Sequence, residues 1–348
     1  MKLLAPARVV VVLLLLIACG LRAAERLPAA GAIAGTTASG ISSGGYMAVQ
    51  FHVAHSSVVK GVGVLAAGPY YCAQGSAWAA RYNCMNPGTW TPLPAVGALT
   101  AATEALAQAG LLDPTEQLRD ARVWLFSGLS DHTVRPGVTQ ALQRYYLAYV
   151  PADRVVLKQD LDAGHAMITA DHGGVCAATA APFINDCDFD AAGALLAHLL
   201  GPLATPAGQP AGVLMQFDQR EFAAVSPYAI GMDETGFLYF PQACRAGGCR
   251  IHVAFHGCRQ GRETIGDAYS RHAGYNRWAD SNRIIVLYPQ AIARYGWGPW
   301  PWPSSYVFNP NGCWDWWGYS GTDYHTKRAP QIRVVKAMLD RLAEPVRE

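Results

Sequence analysis

Gly40-Ile41-Ser42-Ser43-Gly44 is the stretch that decides the fold. A serine on a G-x-S-x-G turn marks a strand that reverses sharply into a helix and lifts its hydroxyl to the top of a sheet. Glycines suit the flanking positions because side chains there would clash with the neighbouring backbone. Ahead of the turn, the small apolar residues 32–35 fit a short buried strand. Behind it, residues 46–53 carry apolar side chains at helical spacing. In a chain with 35 glycines the pentapeptide alone is only moderately specific, so its partners further along the chain matter.

Two later segments supply them: Gly128-Leu129-Ser130-Asp131 and then Ala163-Gly164-His165. Ser, then Asp, then His is the chain order of an α/β-hydrolase triad. Both later residues sit just past strand-like runs, where catalytic groups gather at the carboxyl ends of parallel strands. A serine hydroxyl is a weak nucleophile and needs a base within reach and a third group to orient that base. Ser42 is thus the candidate nucleophile, His165 the base and Asp131 its orienter. Each has a plain structural rival: a turn serine, one of ten histidines, a helix-capping aspartate. Their joint order is the argument against accident.

The rest of the chain agrees with this class. Apolar, β-branched runs at 59–67, 121–128, 154–161, 249–255 and 283–288 read as strands of a buried sheet. Helical patterns at 100–110, 191–200 and 331–342 lie among them, which predicts a mostly parallel central sheet flanked by helices. Residues 213–217 and 237–240 read as a hairpin on its edge. The Pro- and Gly-rich stretch 201–212 reads as a surface connection rather than a domain boundary.

Composition sets the outer limits. The 348 residues are 51% hydrophobic and 15% charged, with a net charge of +2 and no basic cluster, so a globular core is expected and a nucleic-acid partner is not. Lys2 and Arg8 precede an apolar run at 9–18 that is short for a membrane span and suits a secretory leader over 1–23, followed by one catalytic domain over 24–348. Leu16-Ile17-Ala18-Cys19-Gly20 also matches a lipoprotein signal that would anchor the chain through Cys19, while ordinary cleavage near Ala23 or Ala24 competes with it. Of nine cysteines, eight remain for disulfides, with roughly a hundred possible pairings. Short separations favour Cys72–Cys84, Cys176–Cys187 and Cys244–Cys249, leaving Cys258–Cys313. No C-x-x-C pair or paired-histidine spacing points to zinc.

An oxyanion hole needs a second backbone donor, usually from an H-G loop after another strand. The run 251–255 leads into His256-Gly257-Cys258, which assigns the donors to the amides of Ser43 and Cys258 and gives His256 the role of a brace. In the usual hydrolase this strand precedes the nucleophile; here His256 comes about 90 residues after His165. The helix that normally leads into the nucleophile strand is found at 334–342. A circular permutation, with both termini close together, accounts for both.

With Leu287-Tyr288-Pro289-Gln290 and Asn311-Gly312-Cys313-Trp314-Asp315-Trp316 added to these motifs, the chain resembles the polyhydroxybutyrate depolymerases. The similarity is to the permuted type with its lipase box near the N-terminus, and spans most of the chain from Gly31 onward. It implies a serine esterase acting on a polyester polymer or its oligomers, with no metal or organic cofactor. Ser42, Asp131 and His165 are implied as the triad, with Ser43 and Cys258 as oxyanion donors. It also implies aromatic contacts at the mouth, for which Tyr295, Trp297, Trp302, Trp314 and Trp316 are the candidates, Trp314 first because a Cys258–Cys313 bridge would bring it to the oxyanion loop. A separate linker and polymer-binding domain, common in depolymerases, is not visible. An esterase for feruloyl or acetyl groups on carbohydrate, and a non-catalytic polymer-binding protein, are the alternatives. Oligomeric state is not legible.

Overall fold

Five small residues and an isoleucine form the strand on which the site is built. The computed structural model describes residues 24–297 and 306–346, and in it Thr36–Ile41 is β1, buried along its whole length. The expected strand at 32–35 is irregular instead, with Ile33 half exposed. Ala38 and Ile41 join the hydrophobic core, while the polar members of β1 are buried with hydrogen-bond partners: Thr37 Oγ1 and Ser39 Oγ lie 2.8 and 2.7 Å from the two ring nitrogens of His252. Tyr275 Oη closes the network 2.8 Å from Ser39 Oγ. Burying a polar group is costly unless it is paired in this way.

The remaining strands of the main sheet are β2 (Val59–Leu65), β3 (Arg122–Phe126) and β4 (Val155–Lys158), with β8 (Val213–Asp218), β9 (Thr235–Phe240), β10 (Arg250–Phe255) and β11 (Ile284–Tyr288) later in the chain. Their order across the sheet is β4-β3-β2-β1-β10-β11-β9-β8. Pairing is parallel from β4 to β11, and the β8–β9 hairpin joins the edge antiparallel, as expected from the sequence. Between β4 and β8, a small sheet of β5 (Met167–Thr169), β6 (Gly174–Val175) and β7 (Ile184–Asp186) carries the segment after His165. A last hairpin pairs β12 (Arg294–Trp297) with β13 (Tyr306–Asn309).

Helices cover both faces. On one side α1 (Ser43–Ala54), α3 (Val96–Gln108), α4 (Pro136–Leu147) and α9 (Pro330–Ala343) pack on Val62, Val64, Val123, Leu125 and Val253. On the other, α5 (Ala191–Leu200) and α8 (Tyr275–Asn282) cover Phe126, Ile284, Val286 and Tyr288. The shorter α2 (Ala77–Tyr82), α6 (Arg262–Ile265) and α7 (Ala268–His272) lie in connections. Helix α5 shows how locally these are specified: the Asp190 carboxylate accepts from Gly193 N–H at 2.7 Å, Leu195, Leu196 and Leu199 are buried, and Gly201 ends the helix at φ 87°. Each such leucine stabilises by about 2 kcal/mol.

Two features make the permutation concrete. Strand β1 lies directly beside β10, which comes some two hundred residues after it in the chain. The start of the described chain is tied to the end of α9, Ala30 and Gly31 N–H donating to the carbonyls of Leu342 and Glu344 at 3.2 and 2.7 Å. The fold is a circularly permuted α/β-hydrolase. All four expected disulfides are present: Cys72–Cys84, Cys176–Cys187, Cys244–Cys249 and Cys258–Cys313. Such a set belongs to proteins that mature in an oxidising compartment. No helix among the described residues is long and apolar enough to cross a membrane. The expected leader at 1–23, Cys19 with it, and Trp302 lie outside the described residues.

Candidate active site

Ser42 stands between β1 and α1 with φ 56° and ψ −125°, a conformation that non-glycine residues adopt only under constraint. The flanking glycines explain how the turn closes. A Cβ on Gly40 would sit 2.2 Å from the Gly44 carbonyl oxygen, and one on Gly44 would sit 2.3 Å from that of His256. Strand, helix and H-G loop therefore meet at a spot where only glycine fits. The Ser42 side chain does not cap α1, so the first-turn amides of the helix, Ser43 first, have no helical acceptor. A helix N-terminus with free amides favours negative charge.

Asp131 lies beyond the end of β3 and is almost completely buried. Its Oδ2 accepts from His165 Nδ1 at 2.7 Å, while Oδ1 accepts the amides of Thr133 and Val134 at 2.8 and 2.9 Å. These bonds fix the carboxylate and, through it, the imidazole tautomer, leaving Nε2 as the free ring nitrogen. The glycines of the two loops are again contact points: a Cβ on Gly128 would meet the Ala163 carbonyl at 2.1 Å, and one on Gly164 that of Ala178 at 2.3 Å. His165 N–H donates to Thr179 Oγ1 at 2.9 Å. Ser42 and His165 line one cleft of about 570 Å³.

The H-G loop borders this cleft. A Cβ on Gly257 would lie 3.4 Å from Ser42 Cβ, so the loop runs against the serine. Gly257 N–H is taken by Gln260 Oε1 at 2.8 Å, whereas Cys258 N–H donates to no protein acceptor among the described residues. His256 is wholly buried. Its Nδ1–H donates to Gly257 O at 2.7 Å and its Nε2 accepts from Ala291 N–H at 3.0 Å, a pair of bonds only the neutral ring makes. Burial brings its pKa down to about 4. It braces the loop, as the sequence suggested.

The structure places the expected aromatic residues differently from one another. Trp314 is fully enclosed, edge-on to Phe255 at 5.1 Å and tilted against His256 at 5.6 Å, and does not line the cleft. The Cys258–Cys313 bridge does bring it to the H-G loop, but to the core side, where it packs against His256 from behind. Trp316 does line the cleft, stacked on Tyr46 of α1 at 3.9 Å with the rings 6° apart, and Trp317 joins it. Tyr295 and Trp297 are exposed on the β12–β13 hairpin and outside the cleft lining, to which the facing strand contributes Phe308 instead.

Sequence reading missed Tyr46, Phe183 and Phe308 as wall residues, and Asp315 as the organiser of the tryptophan loop. The buried Asp315 carboxylate accepts the amides of Trp317, Gly318, Tyr319 and Ser320, the shortest at 2.7 Å. Burial pushes its carboxyl above the usual range, against the lowering effect of these bonds. Its own carbonyl accepts from Gln50 of α1 at 2.9 Å, tying the loop to the serine-bearing helix.

No protein-family model matches the chain. It is 37% identical over 292 residues to the polyhydroxybutyrate depolymerase of Talaromyces funiculosus, covering 82% of either protein. The chain belongs to the polyhydroxybutyrate depolymerases. A second family member, the poly(3-hydroxybutyrate) depolymerase of Delftia acidovorans, is 45% identical over 314 residues; the match covers 88% of this chain and 59% of that longer relative. The crystal structure of the depolymerase from Penicillium funiculosum superposes with a TM-score of 0.81 at 32% identity, over 92% of this chain and 99% of that one. A depolymerase serine-to-alanine variant complexed with an R3HB trimer matches equally well.

Proposed function

We propose that this chain is an exported serine esterase that hydrolyses poly(3-hydroxybutyrate), or related short-chain polyhydroxyalkanoates and their oligomers, through an acyl-enzyme. Ser42 Oγ attacks the ester carbonyl while His165 Nε2 takes its proton, and the Ser43 and Cys258 amides receive the oxyanion. Collapse of the tetrahedral intermediate expels the alcohol end of the chain, protonated by His165. Water, deprotonated by the same nitrogen, then releases the acid and restores Ser42. Asp131 holds the ring and stabilises the imidazolium. Trp316 stacked on Tyr46 offers a flat apolar wall for the repeat units. The leader-like run at 9–18 supports export and the four bridges suit it; anchoring through Cys19 is the alternative to release.

The observation that carries this reading is the Asp131–His165 hydrogen bond at 2.7 Å, whose histidine lines one cleft with Ser42. The polyester for which both relatives are named supports the substrate class. The test is release of 3-hydroxybutyrate products from amorphous polymer by the mature protein, with Ser42→Ala as control. Wild type alone should release them, and the variant should lose about 10⁶-fold in turnover. Cleavage of aryl esters without any product from polymer or oligomer would keep the serine chemistry and move the substrate to carbohydrate esters. Failure of Ser42 to react with a fluorophosphonate would favour the non-catalytic reading.

A further inference from the structure

The cleft carries two positive charges that a neutral polyester does not explain. Arg81, in the last turn of α2, and Arg259, next in the chain after the Cys258 amide, both line it. No Asp or Glu lines the cleft among the described residues, and the Asp131 carboxylate is buried, bonded to His165. Neither guanidinium forms an ion pair among those residues. Arg81 rests 5.7 Å from the Tyr82 ring and Arg259 5.2 Å from that of Phe183; both side chains are exposed, and neither donates to a protein acceptor among the described residues. Arg259 is also held at φ 62°, with its amide bonded to Asn311 O at 2.7 Å, so its backbone is fixed at the edge of the oxyanion loop.

Ester groups of the repeat unit carry no charge. The one anion on such a chain is the carboxylate at its end, which becomes a large part of the molecule only in short oligomers. Arginine is the side chain whose planar fork matches a carboxylate. We infer that Arg259 and Arg81 bind the free carboxylate of a short hydroxyalkanoate oligomer, so that the cleft distinguishes oligomer acids from the interior of a polymer chain. The inference rests on the polyester reading of the cleft and adds a specificity to it.

Calorimetry on the Ser42→Ala protein, which cannot turn substrate over, tests this with a 3-hydroxybutyrate trimer as free acid and as methyl ester. The acid should bind roughly tenfold tighter at low salt, and the gap should narrow as ionic strength rises. Adding Arg259→Gln should close most of the gap and Arg81→Gln part of it, while Arg259→Lys should restore some. Equal affinity for acid and ester in the Ser42→Ala protein overturns the assignment with no further variant needed. A loss shared equally by both ligands in Arg259→Gln also overturns it, because the side chain would then act as wall alone. Binding of neither ligand would sink the polyester reading itself, an outcome distinct from the other two.

Discussion

His252 and His256 are buried side chains that must stay neutral for the site to hold its shape. His252 joins β10 to Thr37 and Ser39 of β1, a few residues ahead of Ser42, and burial brings its pKa down to about 3. His52 in α1, paired with Tyr146 Oη at 3.0 Å, is lowered equally, by burial first and Lys60 second. An unfolded histidine takes a proton below its ordinary 6.5, whereas the folded ones resist until about 3 to 4. Their stabilising effect is complete above pH 6.5 and is lost progressively as pH falls towards 3, by about 1.4 kcal/mol per pH unit for each fully titrating residue. Urea midpoints at pH 7.0, 5.5 and 4.5 should fall steeply, and His252→Gln should flatten that fall while lowering the midpoint at pH 7. A midpoint indifferent to pH over this range would contradict the neutral assignments. The same residues explain a gap in the sequence reading: β1 is illegible there because its buried Thr37 and Ser39 look like surface residues until their partner, more than two hundred positions away, is known.

Among the elements, the loop after Cys313 shows why direction is harder to read than composition. Its tryptophans have the same chemistry in sequence, yet Trp314 faces the core and Trp316 the cleft. The choice between them is made by Asp315, whose carboxylate gathers four amides further along and so turns the chain. Nothing local announces that role, whereas the short cysteine separations and the Ser, Asp, His order could be read because they rest on chain proximity and chain order. Replacing Asp315 by Ala strands several buried donors and should cost about 3 kcal/mol of stability. It should also free Trp316 from its stack on Tyr46, raising KM for the oligomer more than it lowers kcat, with a shift in tryptophan emission. Asp315→Asn, which keeps an acceptor, should fall between. A variant with lower stability but unchanged KM would show that the loop braces the fold without shaping the cleft.

At the scale of the whole molecule, the arrangement of strands in space matters more than the path of the chain through them. Opening the chain within 201–212, an irregular connection, would make β8 the first strand, with β9, β10 and β11 after it. Joining the end of α9 to the segment before β1 would then deliver β1, β2, β3 and β4 in turn, ending on α5. That is the conventional hydrolase order, with the H-G strand ahead of the nucleophile. The closure is short because Gly31 N–H already bonds the Glu344 carbonyl at 2.7 Å, so a few Gly and Ser residues span it without moving either end. None of the four disulfides crosses the opened connection, since Cys72–Cys84 and Cys176–Cys187 lie before it and Cys244–Cys249 and Cys258–Cys313 after it. The site elements β1, β3 and β10 keep their neighbours. The rearranged protein should therefore fold with all four bridges, melt within several degrees of the original, and retain kcat/KM on an aryl ester within about tenfold, because exchanging one surface loop for a shorter one changes chain entropy by only about 1 kcal/mol. Failure to fold, with the linker long enough to span the gap, would mean that the present chain order is needed to assemble β1 against β10, and that the permutation is a constraint on folding as well as a change of route.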